Sequence, residues 1–285
     1  MSEKLGRMII MWFLLASLMV PGIIQAQQTT SGAAPSAPAA PPARQPDPGG
    51  SSTGNASDVP AAKAGQPTLG ELADAVGHNR VAINIVWTLI AGFLVMFMQP
   101  GFALVETGFT RAKNAAHTMA MNLMIYPLGM LGFYICGFAF MFGGLGPIAT
   151  LGGYAGLDHE ITLTLFGKEF GLLGAQGFFL SGTSYDIAVF TLFLFQMVFM
   201  DTTATIPTGA LAERWKYLSF FIYGWFVGTV IYPVFGNWVW GGGWLAMLGK
   251  NFGLGHGHVD FAGSSVVHMT GGVISLVRSS LGKVV

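Results

Sequence analysis

The stretch VDFAGSSVVHMTGGVISLVRSS, residues 259–280, has the composition of a membrane-spanning helix but contains an ionisable side chain, His268. Asp260 precedes the apolar run, where its carboxylate can accept hydrogen bonds from the free N–H groups of a helix's first turn. If the helix begins there, His268 lies about 12 Å along it, near the middle of a hydrocarbon core about 30 Å thick. A charged imidazolium is costly at that depth, so a neutral ring is expected. Such a ring either bonds a neighbouring helix or serves a functional site, and both interpretations stay open.

The composition places the rest of the chain in the same environment. The 285 residues are 52% hydrophobic and only 9% charged, whereas soluble domains carry about 25% charged residues. The 13 basic and 13 acidic residues balance, so nothing indicates nucleic acid as a partner. The sequence has one cysteine, Cys136, which excludes an internal disulfide and a cysteine zinc cluster.

The first 66 residues differ from the remainder. Residues 1–26 have the basic start, apolar centre and small-residue end of a secretory signal peptide, with a retained membrane anchor as the alternative. Residues 27–66 are rich in Pro, Ala, Gly and Ser without apolar periodicity, which predicts a disordered linker. Residues 67–285 are predicted to form one membrane domain.

Five segments of this domain meet the criterion of about 20 mainly apolar residues. They lie at 81–105, 119–142, 186–207, 217–235 and 260–277. Basic residues concentrate at alternate joints, namely Arg111, Lys113, Arg214 and Lys216, and again after the fifth segment. The positive-inside rule therefore predicts five crossings, with the N-terminus outside and the C-terminus in the cytoplasm.

Among the acidic residues in or next to these segments, Asp201 and Glu106 need partners to satisfy their carboxylates. Asp201 is inside the third segment, where neighbouring hydroxyls are expected to satisfy it by hydrogen bonds. Those neighbours are Thr202, Thr203 and Thr205. Glu106 ends the first segment close to Arg111, which predicts an ion pair at the membrane surface.

The loop at 143–183 contains three adjacent potential metal ligands, Asp158, His159 and Glu160. Because adjacent residues do not share a face, a solvated loop is favoured over a metal site. His256 and His258 lie in a later loop, outside the hydrocarbon, so no second histidine is spaced to bind a haem together with His268.

The later loop also contains NWVWGGGWL, residues 237–245, in which three tryptophans surround three glycines. An aromatic belt at the membrane interface explains Trp238 and Trp244 well, and this interpretation is favoured. The glycines allow unusual backbone turns, and a tryptophan held beside such a turn could present its ring face to a cation, which is the alternative.

Four motifs, in this order and spacing, resemble the ammonium transporter family (Amt, related to Rhesus proteins). They are ETGFTRAKN (106–114), FLFQMVFMDTTATIPTGALAERWKY (193–217), NWVWGGGWL (237–245) and VDFAGSSVVHMTGG (259–272). The resemblance extends from about residue 80 to residue 277.

The resemblance implies a fold and an activity. Family members are homotrimers with a pore in each subunit, and the first ten of eleven spans form two inverted five-span repeats. This chain is therefore expected to be an all-α membrane protein whose five transmembrane helices correspond to the first inverted repeat. The implied function is channel-like ammonium or ammonia transport for nitrogen uptake across the inner (plasma) membrane, without enzymatic activity or a cofactor.

The resemblance also implies roles for individual residues. Trp240 and Phe199 correspond to an outer site for the ammonium cation, which Asp260 shapes through hydrogen bonds at a helix end. Phe199, with Phe195 nearby, corresponds to a gate of stacked phenylalanines, and His268 to one of two histidines that line a narrow hydrophobic pore.

The chain stops at Val285, after the fifth segment, so it is expected to be an N-terminal fragment that lacks the second repeat and the second pore histidine. Two alternatives remain: an ammonium-sensing receptor domain and an inactive truncated product. The resemblance further implies a homotrimer, and a PII-type regulatory protein as a partner, when the protein is full length.

Overall fold

The computed structural model describes residues 48–49, 68–153 and 156–280. The predicted signal peptide at 1–26 lies outside the described residues, as does the predicted linker at 27–66 apart from residues 48–49. The architecture below concerns the membrane domain.

Helices dominate the described part of this domain, and π-helical turns join or precede some of them. In chain order they are α1 (Leu69–Met96), α2 (Met98–Phe109), α3 (Ala115–Gly132), α4 (Phe138–Phe142), α5 (Ile187–Ala210), α6 (Tyr217–Phe226), α7 (Tyr232–Val239), α8 (Leu248–Phe252) and α9 (Thr270–Ser280). The π-helical turns are Phe133–Gly137, which joins α3 to α4, Val227–Ile231, which joins α6 to α7, and Ser264–Met269, which leads into α9.

Within the described residues, four helical runs are long and apolar enough to cross a membrane. They are Leu69–Phe109, Ala112–Phe142, Ile187–Ala210 and Tyr217–Val239, and they match four of the five predicted segments. The fifth, predicted at 260–277, becomes helical only at Ser264, with a six-residue π turn followed by eleven residues of α9. Residues 260–263 are therefore a loop rather than the first turn of a helix.

α5 lies at the centre of the bundle, in contact with α1, α3 and α9. The close approach of the helical runs Ala112–Phe142 and Tyr217–Val239 depends on glycine. A Cβ on Gly132 would lie 2.9 Å from Cγ2 of Thr229, and one on Gly228 would lie 2.6 Å from the carbonyl oxygen of Gly129. Small residues let membrane helices pack backbone to backbone in this way.

The loop between α4 and α5 contains an antiparallel hairpin, so the all-α prediction is wrong here. β1 (Glu160–Leu165) pairs with β2 (Lys168–Gly174), and Glu160 lies opposite Gly174. Phe166 and Gly167 connect the strands with positive φ angles of 54° and 69°, as a tight hairpin turn requires. The sequence analysis predicts no strand in this loop, which is rich in glycine and mixed in composition.

Candidate functional site

The loop before α9 is organised by the carboxylate of Asp260. It accepts hydrogen bonds from the backbone N–H groups of Gly263 (2.6 Å), Ser264 (2.9 Å), Ser265 (2.8 Å) and Val266 (2.8 Å). Burial opposes ionisation, but these hydrogen bonds outweigh it and lower the pKa of Asp260 to about 2. The prediction that Asp260 accepts hydrogen bonds at the start of a helix is confirmed, and the group is an anion at neutral pH.

Trp240 lies directly after α7, and its indole is fixed by the same loop. Nε1 donates a 2.7 Å hydrogen bond to the backbone oxygen of Asp260. The indole meets the ring of Phe199 edge to face with centroids 5.8 Å apart, and Phe199 meets Phe195 with centroids 5.0 Å apart. The expected contact between Phe195 and Phe199 is therefore confirmed, and the three rings form a continuous row.

His268 is closer to the start of its helix than expected. It follows the helix start at Ser264 by four residues, all within the π turn, rather than by the eight residues that a helix from Asp260 would give. The carbonyl oxygen of Gly263 lies 2.9 Å from the backbone nitrogen and 3.0 Å from Nδ1 of His268. Because a carbonyl only accepts, Nδ1 carries the proton, and in the neutral ring Nε2 remains an acceptor.

Gly263 is required for this arrangement. Its φ angle is +96°, and a Cβ there would lie 2.7 Å from Cγ2 of Val267. The imidazole of His268 thus bonds its own loop rather than a neighbouring helix, and the residue is exposed.

His258 and Ser265 also belong to this site, although the sequence reasoning missed them. The hydroxyl of Ser265 donates to Oδ2 of Asp260 at 2.8 Å, and Nε2 of His258 lies 2.9 Å from the same hydroxyl. Since the hydroxyl has only one hydrogen, it accepts from Nε2–H of His258. The signal in the sequence was a serine in the first turn after Asp260, with a histidine two residues before that aspartate.

A second polar cluster lies between α2, α3 and α5. Glu106 accepts from Nδ2 of Asn122 at 2.6 Å and from the hydroxyl of Thr208 at 2.7 Å. The hydroxyl of Thr205 donates to Oδ1 of Asn122 at 2.9 Å and accepts from Gln99 at 3.0 Å. These bonds join three helices around one carboxylate.

The predicted ion pair between Glu106 and Arg111 is therefore wrong. Arg111 pairs instead with Glu213, in the joint between α5 and α6, with Nη2 2.8 Å from Oε2. Hydrogen bonds from Arg111 lower the pKa of Glu213 to about 2.

The prediction that neighbouring threonines satisfy Asp201 is also wrong. Thr202 and Thr203 donate to backbone oxygens of their own helix, and Thr205 donates to Asn122. Asp201 is 2% exposed, and its Oδ1 has no hydrogen-bond partner within the described residues.

The expectation of a solvated Asp158-His159-Glu160 segment holds for only two of its residues. Asp158 and His159 are exposed, but Glu160 is partly buried against Asn237 in α7. Among residues 68–153 and 156–280, no three His, Cys, Asp or Glu side chains are grouped so that they could hold a metal ion.

Long apolar helices, with a row of aromatic rings beside a buried carboxylate, are the features of a helical membrane protein. The chain belongs to the Ammonium Transporter Family, whose family model matches residues 86–283.

Known relatives agree with this assignment. The chain is 44% identical to the ammonium transporter Amt2 of Archaeoglobus fulgidus, over 72% of this chain and 39% of that protein. It is 34% identical to ammonium transporter 1 member 3 of Solanum lycopersicum, over 67% and 37% respectively. The chain thus spans about two fifths of the length of these curated relatives.

Solved structures show the same fold. A structure described as a Sensor Amt Protein superposes with a TM-score of 0.56 at 33% identity, covering 71% of this chain and 44% of that one. The crystal structure of Candida albicans Mep2 superposes with a TM-score of 0.52 at 26% identity, covering 70% and 39%.

Proposed function

We propose that this chain forms the first half of an ammonium transporter that takes up ammonium or ammonia through the inner (plasma) membrane as a nitrogen source. The observation that supports this proposal most directly is the contact between the rings of Trp240 and Phe199. The indole N–H of Trp240 is hydrogen-bonded to the backbone oxygen of Asp260. Aromatic ring faces attract ammonium-like cations, and a nearby carboxylate adds attraction. The curated relatives are described as ammonium transporters, which supports the same substrate.

The proposed path leads from this outer site past the phenylalanine row to His268. An apolar passage disfavours any bare cation, because burying a charge is costly. Ammonium can transfer a proton to water at the outer site and continue as ammonia, whereas a potassium ion of similar size has no proton to transfer. Neutral ammonia could then donate an N–H to Nε2 of His268, which is the acceptor that the bond to Gly263 leaves free.

We also propose how the helices of this chain cross the membrane. The four long runs, together with the π turn at Ser264 and α9, would be the five crossings of the first inverted repeat. The second repeat would then cover the exposed face that carries His268. In the complete protein we expect a homotrimer, with a PII-type regulatory protein as a partner.

Ammonium sensing is the second candidate, because one structural neighbour is described as a sensor. Uptake separates the two functions. The full-length protein should restore growth on low ammonium, at acidic pH, to cells that lack ammonium transporters. His268→Ala should change the rate or the selectivity of that uptake. Ammonium binding without any uptake would instead favour the sensor.

Trp240→Leu is expected to weaken ammonium uptake because it removes the cation-attracting ring while keeping an apolar side chain. A cation–π contact contributes about 0.5–2 kcal/mol, so half-saturation should rise by about 2-fold to 30-fold. The measurement is uptake of labelled methylammonium against concentration.

Trp238→Leu is the matched control for this variant. Trp238 lies two residues away but packs on Trp244, with its Nε1 donating to the backbone of Leu172 in the hairpin. It should leave half-saturation near that of the wild type. Unchanged uptake by Trp240→Leu at limiting ammonium would make Trp240 part of an aromatic belt only.

The proposed orientation puts the basic joints in the cytoplasm and the hairpin outside. Reporter fusions after Lys113 and Lys216 should therefore be active as cytoplasmic reporters, and fusions at Lys168 and Lys250 as external ones. A cytoplasmic signal at Lys168 would reverse the orientation.

A further inference from the structure

Glu160 and Asn237 meet where the hairpin packs on α7. Nδ2 of Asn237 donates to Oε2 of Glu160 and to the carbonyl oxygen of Met141, at 3.2 Å each, so both of its hydrogens are used. Asn237 is fully buried, and its Oδ1 has no hydrogen-bond partner among the described residues. The same holds for Oε1 of Glu160.

The two unpartnered oxygens lie on either side of one backbone contact. A Cβ on Gly171 would be 2.7 Å from Oε1 of Glu160 and 3.1 Å from the Cα of Gly243. A Cβ on Gly243 would be 2.7 Å from Oδ1 of Asn237. Both unpartnered acceptors thus lie beside the same close approach of Gly171 and Gly243. A proton on the carboxyl group would turn one of the two acceptors into a donor.

The surroundings favour that proton. Burial raises the pKa of Glu160 to about 7, although the hydrogen bond from Asn237 opposes the rise. The packed segments α4 and α7 contain no charged residue. Lys168 and Glu169 lie at the turn end of the hairpin, opposite the end that carries Glu160, while Asp158 and His159 are exposed.

The Glu160–Asn237 contact supports the turn that carries Trp240. The carbonyl oxygen of Asn237 accepts from the N–H of Gly243 at 2.9 Å, and Trp244 N–H donates to Gly171 in the hairpin at 2.8 Å. The turn after α7 is therefore hydrogen-bonded both to Asn237 and to β2.

We propose that Glu160 is a positioning residue for Trp240: as a neutral acid it donates to Asn237 and holds the turn after α7, and on ionisation it releases the turn. The stabilisation is complete below the ordinary pKa of glutamate, is lost as the pH rises towards the folded-state pKa, and does not return at higher pH. Only the role of Trp240 in binding ammonium rests on the proposed function.

Hydrogen exchange at the amides of Gly243 and Trp244 tests this clamp, using the 285-residue chain in lipid nanodiscs. After correction for intrinsic exchange, wild-type protection should fall at least about tenfold between about pH 5.5 and about pH 8.5, because one pKa unit is a factor of ten. Glu160→Gln stays neutral and keeps a donor, so its protection should be independent of pH.

Glu169→Gln is the matched control, since this glutamate lies at the far end of the hairpin, and it should follow the wild type. A wild-type protection that does not change with pH would overturn the proposal without any variant. An equal slope in Glu160→Gln would overturn it as well. Because exchange is measured without transport, loss of uptake activity would leave the result intact.

Discussion

Alanine at Gly137 is expected to destabilise the helix bundle, and leucine there to prevent its assembly. Gly137 ends the π turn after α3, and a Cβ on it would collide with the carbonyl oxygen of Gly228. It would also lie 2.8 Å from Cδ2 of Phe133 and 3.1 Å from Cγ of Pro233. Since a backbone carbonyl cannot turn aside as a side chain can, the helices would have to separate.

The size of the effect follows from two opposing contributions. Alanine in place of a helical glycine ordinarily gains about 1 kcal/mol of helix propensity. Overpacking a close contact costs about 1–3 kcal/mol, and a clash with backbone belongs at the upper end. Gly137→Ala should therefore lower the free energy of unfolding despite its better propensity, and Gly137→Leu should give no monodisperse protein.

Thermal unfolding and size-exclusion chromatography in detergent measure both outcomes. Gly101→Ala is the matched control, because Gly101 is also helical but a Cβ there meets no heavy atom within 4 Å. It should be as stable as the wild type or slightly more so. If Gly137→Ala melted together with Gly101→Ala, the close approach of the two π turns would not be a determinant of stability.

The long helices could be predicted because the requirement for crossing a bilayer is local: each segment must be apolar over its own length. The start of the fifth helix could not. The carboxylate of Asp260 accepts hydrogen bonds from four backbone N–H groups, and Gly263 adopts a positive φ angle. The chain therefore forms a loop before the helix begins at Ser264. An apolar sequence such as FAG gives no sign of that loop.

In the aromatic row, too, the contact within one helix could be predicted from spacing and the contact between separate segments could not. The spacing of Phe195 and Phe199 predicted their contact, since residues four apart share a helix face. The contact of Phe199 with Trp240 joins two helices and was expected only from the family resemblance.

Partners for polar side chains were predicted least well. Glu106 is five residues from Arg111, but its actual partners, Asn122 and Thr208, are 16 and 102 residues away. Proximity in the sequence suggested the pair Glu106–Arg111, but the packing of the helices brings Glu106 to other partners. The same applies to Glu160, whose contact with Asn237 spans 77 residues.

In the proposed transporter, Asp260→Ala is expected to abolish uptake and to destabilise the protein strongly. The substitution leaves the N–H groups of residues 263–266 without their acceptor, and an unsatisfied buried donor costs about 1–3 kcal/mol. Because water can reach part of the loop, we expect a total near 3 kcal/mol rather than the full sum. Trp240 would be displaced as well, since its indole bonds the backbone at Asp260.

The pH dependence gives this prediction a second measurement. Hydrogen bonding lowers the pKa of Asp260 from 3.8 to about 2, so its ionised form stabilises the fold. That stabilisation is present above the unfolded pKa and is lost as the pH falls through the folded one. Wild-type melting temperatures should therefore decline between about pH 4 and about pH 2 more steeply than those of Asp260→Ala.

Asp260→Asn separates the contribution of charge from that of shape. One side-chain oxygen remains as an acceptor, so the loop should fold with intermediate stability, while the attraction for a cation at Trp240 is weakened. Asp158→Ala, at an exposed aspartate, should match the wild type in both melting and uptake. Uptake by Asp260→Ala at the wild-type rate would show that the carboxylate is needed neither for the loop nor for the proposed cation site.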